Sequence, residues 1–177
     1  MKKIFYILIL FLFKFNFAYS LIEVDITRGN LDPLPIAVSP LHVDVQSDNY
    51  KDNKVKGLGE LISSVVENNF RLTGLFNPLS KDAFVQKPDI AHLKPRFEDW
   101  SLITAQALVT GKILIKDEKL KVEFRLWDVA ANKEMIALAF TTTPSNWRRV
   151  AHIISDKIYE RLTGETGYFD TRIIYVS

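Results

Sequence analysis

The stretch ALVTGKILIKDEKLKVEFRLWDV, residues 107–129, gives the clearest structural signal in this sequence. Its two runs rich in β-branched and apolar residues flank Asp117 and Glu118, which predicts a β-hairpin with the acids in its turn. In the second run apolar and polar side chains alternate, so one face of that strand is predicted to be buried. The inward-facing residues are Leu120, Val122, Phe124 and Leu126. A third strand is predicted in EMIALAFTTT, residues 134–143.

Two amphipathic helices are predicted outside this meander. In the first, apolar residues recur at helical spacing over residues 58–72, and Gly74 supplies a stop signal. The second, WRRVAHIISDKIYERLT, can be capped by Ser145 or Asn146 and ends before Gly164. Its predicted buried stripe consists of Trp147, Val150, Ala151, Ile154, Ile158 and Leu162.

Further extended segments complete the predicted sheet. PIAVSPLHV, residues 35–43, indicates a buried strand, in which Pro40 should end or bulge the ladder because it has no N–H to donate. Residues 75–85 resume an extended path, residues 86–96 are predicted to form a loop, and Trp100 anchors a short helix. The sequence therefore predicts an α/β fold: a mixed β-sheet of about five strands packed against two main helices, with strand-like terminal segments that project from the body.

The first twenty residues are predicted to be a cleavable export signal. Two lysines precede the apolar run of residues 4–13, and Ala18 and Ser20 supply the small residues of a cleavage site. The run is too short to span a bilayer, which takes about 20 residues, although an uncleaved membrane anchor is the alternative. We therefore expect cleavage between Ser20 and Leu21.

The net charge of the chain depends on this signal. Removing its three lysines from the 23 basic residues leaves 20 against 21 acidic ones, so the formal net charge changes from +2 to about −1. A nucleic-acid partner is not expected, because such binding needs a concentrated basic face. The chain contains no cysteine, and an exported protein without disulfides fits a bacterial periplasm.

The segment that follows the predicted cleavage site has the pattern of a strand. Apolar residues at 22, 24 and 26 alternate with polar residues at 23, 25 and 27. Such a terminal strand either completes the sheet of its own domain or remains an arm that can join the sheet edge of another protein. The sequence leaves both arrangements open, and we favour the second.

A catalytic or metal site is not predicted. The histidines His42, His92 and His152 stand 50 and 60 residues apart, and no local spacing supplies two converging metal ligands. No serine lies in a Gly-x-Ser-x-Gly elbow, and Gly57-Leu58-Gly59 lacks the rest of a phosphate-binding motif. We therefore expect no cofactor. The alternative is a small exported ligand-binding or hydrolase domain that uses His42 or His92 in a cleft beside the sheet.

Residues 147–177, WRRVAHIISDKIYERLTGETGYFDTRIIYVS, resemble the TolB family, the periplasmic component of the Tol-Pal system. Shorter matches occur in the same order along the chain: PIAVSPL at 35–41, TGLFNPL at 73–79, ALVTGKI at 107–113 and FRLWDV at 124–129. One departure is Ser39, where the family pattern has a second proline.

The resemblance implies a domain organisation. In that family an α/β domain is followed by a six-bladed β-propeller, and the segment after the long helix leads into it. Carried onto this chain, residues 1–20 are the signal peptide, residues 21–34 an arm, and residues 35–167 the amino-terminal α/β domain. Residues 168–177 are then the start of a propeller that this chain lacks.

The resemblance also implies partners. In the family, the residues just after the cleavage site bind the carboxy-terminal domain of TolA, whereas the Pal surface lies on the propeller. Pal is therefore expected as a partner only if a propeller is supplied. The implied function is that of a non-enzymatic periplasmic adaptor that supports outer-membrane integrity and cell division, with no small-molecule substrate. The implied TolA-binding residues are Leu21, Ile22, Glu23, Val24, Asp25, Ile26, Thr27, Arg28, Gly29 and Asn30.

Overall fold

The computed structural model describes residues 22–24, 32–45, 57–116 and 118–171. The predicted signal peptide lies outside these ranges. The strands are β1 (Leu34–Val38), β2 (His42–Val45), β3 (Phe76–Pro78), β4 (Ala107–Lys116), β5 (Lys119–Asp128) and β6 (Lys133–Thr142). The α-helices are α1 (Leu58–Thr73), α2 (Pro88–Ala91), α3 (Phe97–Leu102) and α4 (Trp147–Thr163). Within the described ranges, none of these helices has the length and apolar character that crossing a membrane requires.

The strands form one mixed sheet in the order β3-β1-β4-β5-β6, with β2 also paired to β4. β1 runs parallel to β3 and to β4, whereas β4, β5 and β6 form an antiparallel meander. The predicted mixed α/β sheet is confirmed. The predicted hairpin is confirmed as well, with its four inward-facing residues all buried: Leu120, Val122, Phe124 and Leu126.

The sheet has six strands where about five were expected, because the run over residues 35–43 is divided. β1 pairs with β4 at residues 107–109, and β2 pairs with the same edge of β4 at residues 112–115. The break falls at Pro40, as its missing N–H predicts. The start of α1 approaches this break so closely that a Cβ at Gly59 would overlap the carbonyl oxygen of Leu41.

The two long helices, α1 and α4, pack on each other and on one face of the sheet. Between them, Asn69 donates to the hydroxyl of Ser155 at 2.8 Å and lies 3.0 Å from Nδ1 of His152. Both helices end at a glycine with positive φ, Gly74 and Gly164, as their stop signals predict.

The start of α4 differs from the prediction. Its inner residues are buried, but Trp147 is only half-buried, and neither Ser145 nor Asn146 caps the helix with its side chain. Residues 144–146 instead form a 3₁₀ turn, and the Asn146 amide donates to the hydroxyls of Thr142 and Thr143. The Ser145 hydroxyl likewise lies 2.9 Å from that of Thr143, so both candidate caps face the residues that precede the turn.

The short helices belong to a second, smaller apolar cluster on Trp100. This side chain is 1% exposed, and its indole N–H donates to Gln86 Oε1 at 3.1 Å, so Trp100 is the core anchor that the sequence predicts. Residues 86–96 are not all loop, because Pro88 opens the four-residue helix α2 with the fixed φ that suits a first helical position.

Candidate partner-binding site

The first described residues of the predicted arm lie against the domain. Ile22 and Val24 are half-buried and pack on the main core, whereas Glu23 between them is exposed. The Ile22 N–H donates to Asp128 Oδ2 at 3.1 Å, and the Val24 N–H donates to the Leu162 carbonyl oxygen at 2.7 Å. The arm was expected to project from the body, but these three residues rest on it.

The two acceptors are available for different reasons. Leu162 lies in the last turn of α4, where a carbonyl has no N–H four residues ahead to accept within the helix. Asp128 ends β5, and its side chain is turned inward at 2% exposure. Its other oxygen, Oδ1, accepts the N–H of Ala131 at 2.8 Å and so shapes the turn that leads into β6.

A groove of about 470 Å³ opens beside the arm. Glu23 borders it on one side, Ile136 of β6 lies on another, and the last turns of α4 supply Lys157 and Arg161. Lys157 Nζ donates to Glu160 at 2.8 Å, and this hydrogen bond raises the pKa of Lys157 above its ordinary value. The groove therefore combines one apolar side chain of β6 with two basic and two acidic side chains.

The sequence analysis identified the arm as one partner of this contact but did not identify the acceptors on the domain. Among the predicted partner-binding residues, the structure places Ile22, Glu23 and Val24 against the domain. Leu21 and residues 25–30 lie outside the described ranges. Ala18 and Ser20 of the predicted cleavage site lie outside them as well. Asp128 was not singled out, although a signal exists. It continues the inward phase of β5, two residues beyond Leu126, so a carboxylate occupies a position where an apolar side chain is expected.

The carboxyl-terminal segment also contacts the domain. Asp156 of α4 accepts the N–H groups of Phe169 at 2.7 Å and of Asp170 at 3.1 Å. The ring of Phe169 lies 5.9 Å from that of Tyr159 and 6.5 Å from that of Phe70, both edge-on. The segment was expected to project as a free strand. Its first residues fold back on the two long helices, and its last six residues lie outside the described ranges.

At the alternative site, the side chains of His42 and His92 are not arranged to act together on a substrate. The two rings stack at 4.7 Å with an interplanar angle of 3°, so their nitrogens lie side by side instead of converging. His92 Nδ1 is 2.9 Å from the carbonyl oxygen of Pro88, which occupies one of its two ring nitrogens. An open cavity of about 570 Å³ includes His42, Glu60 and Asp89 in its lining. Within the described part of the chain, no three His, Asp or Glu residues are placed to hold a metal ion.

Comparison with known proteins places the chain in a family. The family model for the TolB amino-terminal domain matches residues 22–135. The Tol-Pal system protein TolB of Pelagibacter ubique (strain HTCC1062) is 70% identical over 174 residues, covering 97% of this chain and 39% of that protein. This chain thus spans about two fifths of the length of that relative.

A solved structure shows the same fold. The crystal structure of TolB from Acinetobacter baumannii matches with a TM-score of 0.61 and 24% identity, covering 78% of this chain and 30% of that chain. At this identity the match shows only that the two proteins share a fold. Membership of the family is shown by the family model and by the 70% identical relative. The chain belongs to the TolB amino-terminal domain family and is similar to a component of the Tol-Pal system.

Proposed function

We propose that this chain is a non-enzymatic adaptor domain of the Tol-Pal system that works in the periplasm and binds the carboxy-terminal domain of TolA. The binding element is the arm over residues 21–30. Family membership supports the assignment to the system, and the alternating pattern of the arm supports the mode of binding. Through this contact the domain contributes to outer-membrane integrity and to cell division.

The observation that carries the proposal is how the arm is held. Ile22 and Val24 are two residues apart, so in an extended segment their N–H groups point to the same side. Both groups bind the domain, at Asp128 and Leu162, while the exposed Glu23 faces the groove. This one-sided, two-bond attachment is the kind that the edge strand of another sheet can replace with its own backbone acceptors.

Releasing the arm from the domain so that it can pair with a partner costs a moderate amount of free energy. Each hydrogen bond contributes about 0.5–1.5 kcal/mol net, and the half-buried side chains of Ile22 and Val24 add an apolar contact that a partner sheet can also supply. An arm held at this strength can exchange between its own domain and a partner. Docking on the domain and pairing with TolA through the same N–H groups are then mutually exclusive.

Pal is not proposed as a direct partner of this chain. In the family resemblance the Pal surface belongs to a propeller, and this chain spans 39% of its Pelagibacter relative. We propose Pal binding only for a protein in which the propeller is present.

Deletion of residues 21–30 tests the proposal. The full chain and the deletion variant are compared by circular dichroism and by calorimetric titration with the TolA carboxy-terminal domain. We expect lost binding with the fold retained. A matched control is Glu98→Ala, which changes an exposed acidic residue of α3 outside the arm and should still bind. Unchanged binding after the deletion contradicts the proposal, and lost folding indicates that the segment completes the domain's own sheet.

A further inference from the structure

β6 is an edge strand of the sheet. It pairs with β5 on one side, and among the described residues no strand pairs with its other side. In such a strand every second residue directs its N–H and C=O groups away from the sheet. Residues 135–142 contain neither a charged residue nor a proline, the features that usually protect an edge. β6 therefore offers an edge to which a further strand can be added.

Two cavities lie between this edge and α4. The first has a volume of about 240 Å³ and is lined by Phe140, Thr141 and Thr142 of β6 and by Asn146, Arg149, Val150 and Ile153. The second is the cavity of about 470 Å³ beside the arm, where Ile136 of β6 faces Lys157, Glu160 and Arg161 of α4. The end of β6 thus lies beside the start of α4, and the two elements run antiparallel. We call these two cavities, with the edge of β6 between them, the β6–α4 groove.

The middle of the β6–α4 groove is apolar. Ile136 and Phe140 are half-buried and pack on the main core. Leu138 lies between them on the same face of the strand, opposite the buried Phe124, and it is 37% exposed. A strand added to this edge can pack apolar side chains of its own against this row.

Basic side chains border both ends of the groove. Arg149 lies at one end, and Lys157 and Arg161 lie at the other. Arg149 pairs with Asp170 at 3.1 Å and Lys157 with Glu160 at 2.8 Å, whereas Arg161 forms no ion pair with any described residue. The helix rises about 18 Å from residue 149 to residue 161, and a strand of about seven residues spans a similar length. Such a strand therefore carries both of its ends to basic side chains.

We propose that the β6–α4 groove binds an extended segment of another protein. The segment pairs with β6 through its backbone, and its side chains that face α4 are apolar at the centre and acidic at both ends. A second copy of this chain fits less well. Antiparallel pairing of two β6 edges puts Arg149 of each copy beside Lys157 and Arg161 of the other, and like charges oppose such a contact. This inference goes beyond the proposed function, in which TolA takes the arm.

The test is an NMR titration of the full chain with two synthetic peptides blocked at both termini. The first is Glu-Thr-Val-Thr-Val-Thr-Glu, and in the second lysine replaces each glutamate. We expect the first to shift the amide signals of residues 136–142 with saturation and the second to bind about tenfold more weakly or not at all. Hydrogen exchange is measured on the same samples. Every second amide of β6 should exchange rapidly in the free chain and about tenfold more slowly when the first peptide is bound.

Two variants remove one positive charge each. Arg161→Ala should weaken binding of the first peptide about two- to fivefold, whereas Lys94→Ala, at an exposed position between α2 and α3, should leave it unchanged. Equal affinity for the two peptides, unchanged β6 signals, or equal effects of the two variants overturns the inference. So does protection of all β6 amides in the free chain, whether by another segment of the chain or by a dimer seen in sedimentation. TolA is absent from these measurements, so their failure leaves the proposed function to its own test.

Discussion

The backbone N–H of Val24 donates to the carbonyl oxygen of Leu162 at 2.7 Å, so the last turn of α4 holds the described part of the amino-terminal arm. The helix leaves this carbonyl without an internal partner, and the arm satisfies it. Residues 22–24, which the sequence pattern describes only as part of a strand, thus have a defined place on their own domain.

Breaking this bond should loosen the arm without unfolding the domain. Val24→Pro removes the N–H, and we expect the free energy of unfolding to fall by about 1–3 kcal/mol, from the lost bond and part of the apolar contact. Urea denaturation measures the change. The control is Glu23→Ala, an exposed site at which a change within about 0.5 kcal/mol is expected. Equal values for the two variants would contradict the docked arrangement.

Trp100 and Trp147 differ in burial, so replacing each by alanine compares the stability cost of the same substitution at a buried and at a half-buried position. Trp100 is 1% exposed and hydrogen-bonded to Gln86, so Trp100→Ala should lower the free energy of unfolding by about 3–5 kcal/mol. Trp147 is only half-buried at the start of α4, and its replacement should cost about 1–2 kcal/mol. Chemical denaturation of both variants checks the order, and a larger loss at Trp147 would refute its placement.

The segment after Gly167 should contribute to stability. Cutting the chain after this residue removes the packing of Phe169 on Tyr159 and the two hydrogen bonds to Asp156. We expect the free energy of unfolding to fall by about 1–3 kcal/mol, with a lower melting temperature. Phe169→Ala in the uncut chain should produce a similar loss. An unchanged melting temperature for both would show that the segment is free, as its strand-like pattern had suggested.

Glu67 should give part of the pH dependence of stability. Burial raises the pKa of its carboxyl above the ordinary 4.5, and the charge of Lys81, at 3.2 Å, opposes this shift without cancelling it. The folded state therefore holds this proton more tightly than the unfolded state. The contribution of Glu67 to the free energy of unfolding is largest below pH 4.5 and declines as pH rises through the folded pKa.

The substitution Glu67→Gln should remove this decline, as measured by urea denaturation at intervals from pH 4 to 7. Glu60→Gln changes the exposed acidic partner of the same lysine and should retain the decline. The same slope in the unaltered chain and in Glu67→Gln would show that Glu67 does not cause it.

The elements of this fold follow from local pattern to a large extent. Alternation in β5 places Leu120 and Val122 on the buried face, and the glycines after α1 and α4 mark where each helix ends. These features depend on neighbours a few residues away, so the sequence expresses them directly.

Features that join distant residues were harder to predict. The order of the strands depends on pairs such as Ile36 with Ala107, and the docking of the arm depends on Asp128, 106 residues away from Ile22. No local pattern encodes such a contact. The only feature of the sequence that pointed to this contact was an acidic residue, Asp128, in an inward-facing position of β5. It indicates a buried hydrogen-bond acceptor but does not identify the donor.

Binding of TolA through the arm is tested most directly by following the backbone amides of the arm by NMR while the TolA carboxy-terminal domain is added to the mature chain. We expect the amide signals of Ile22, Val24 and the rest of residues 21–30 to change with saturation, while those of the buried β5 residues stay in place. Signals of the arm that do not change, with TolA bound elsewhere on the domain, would contradict binding through the arm.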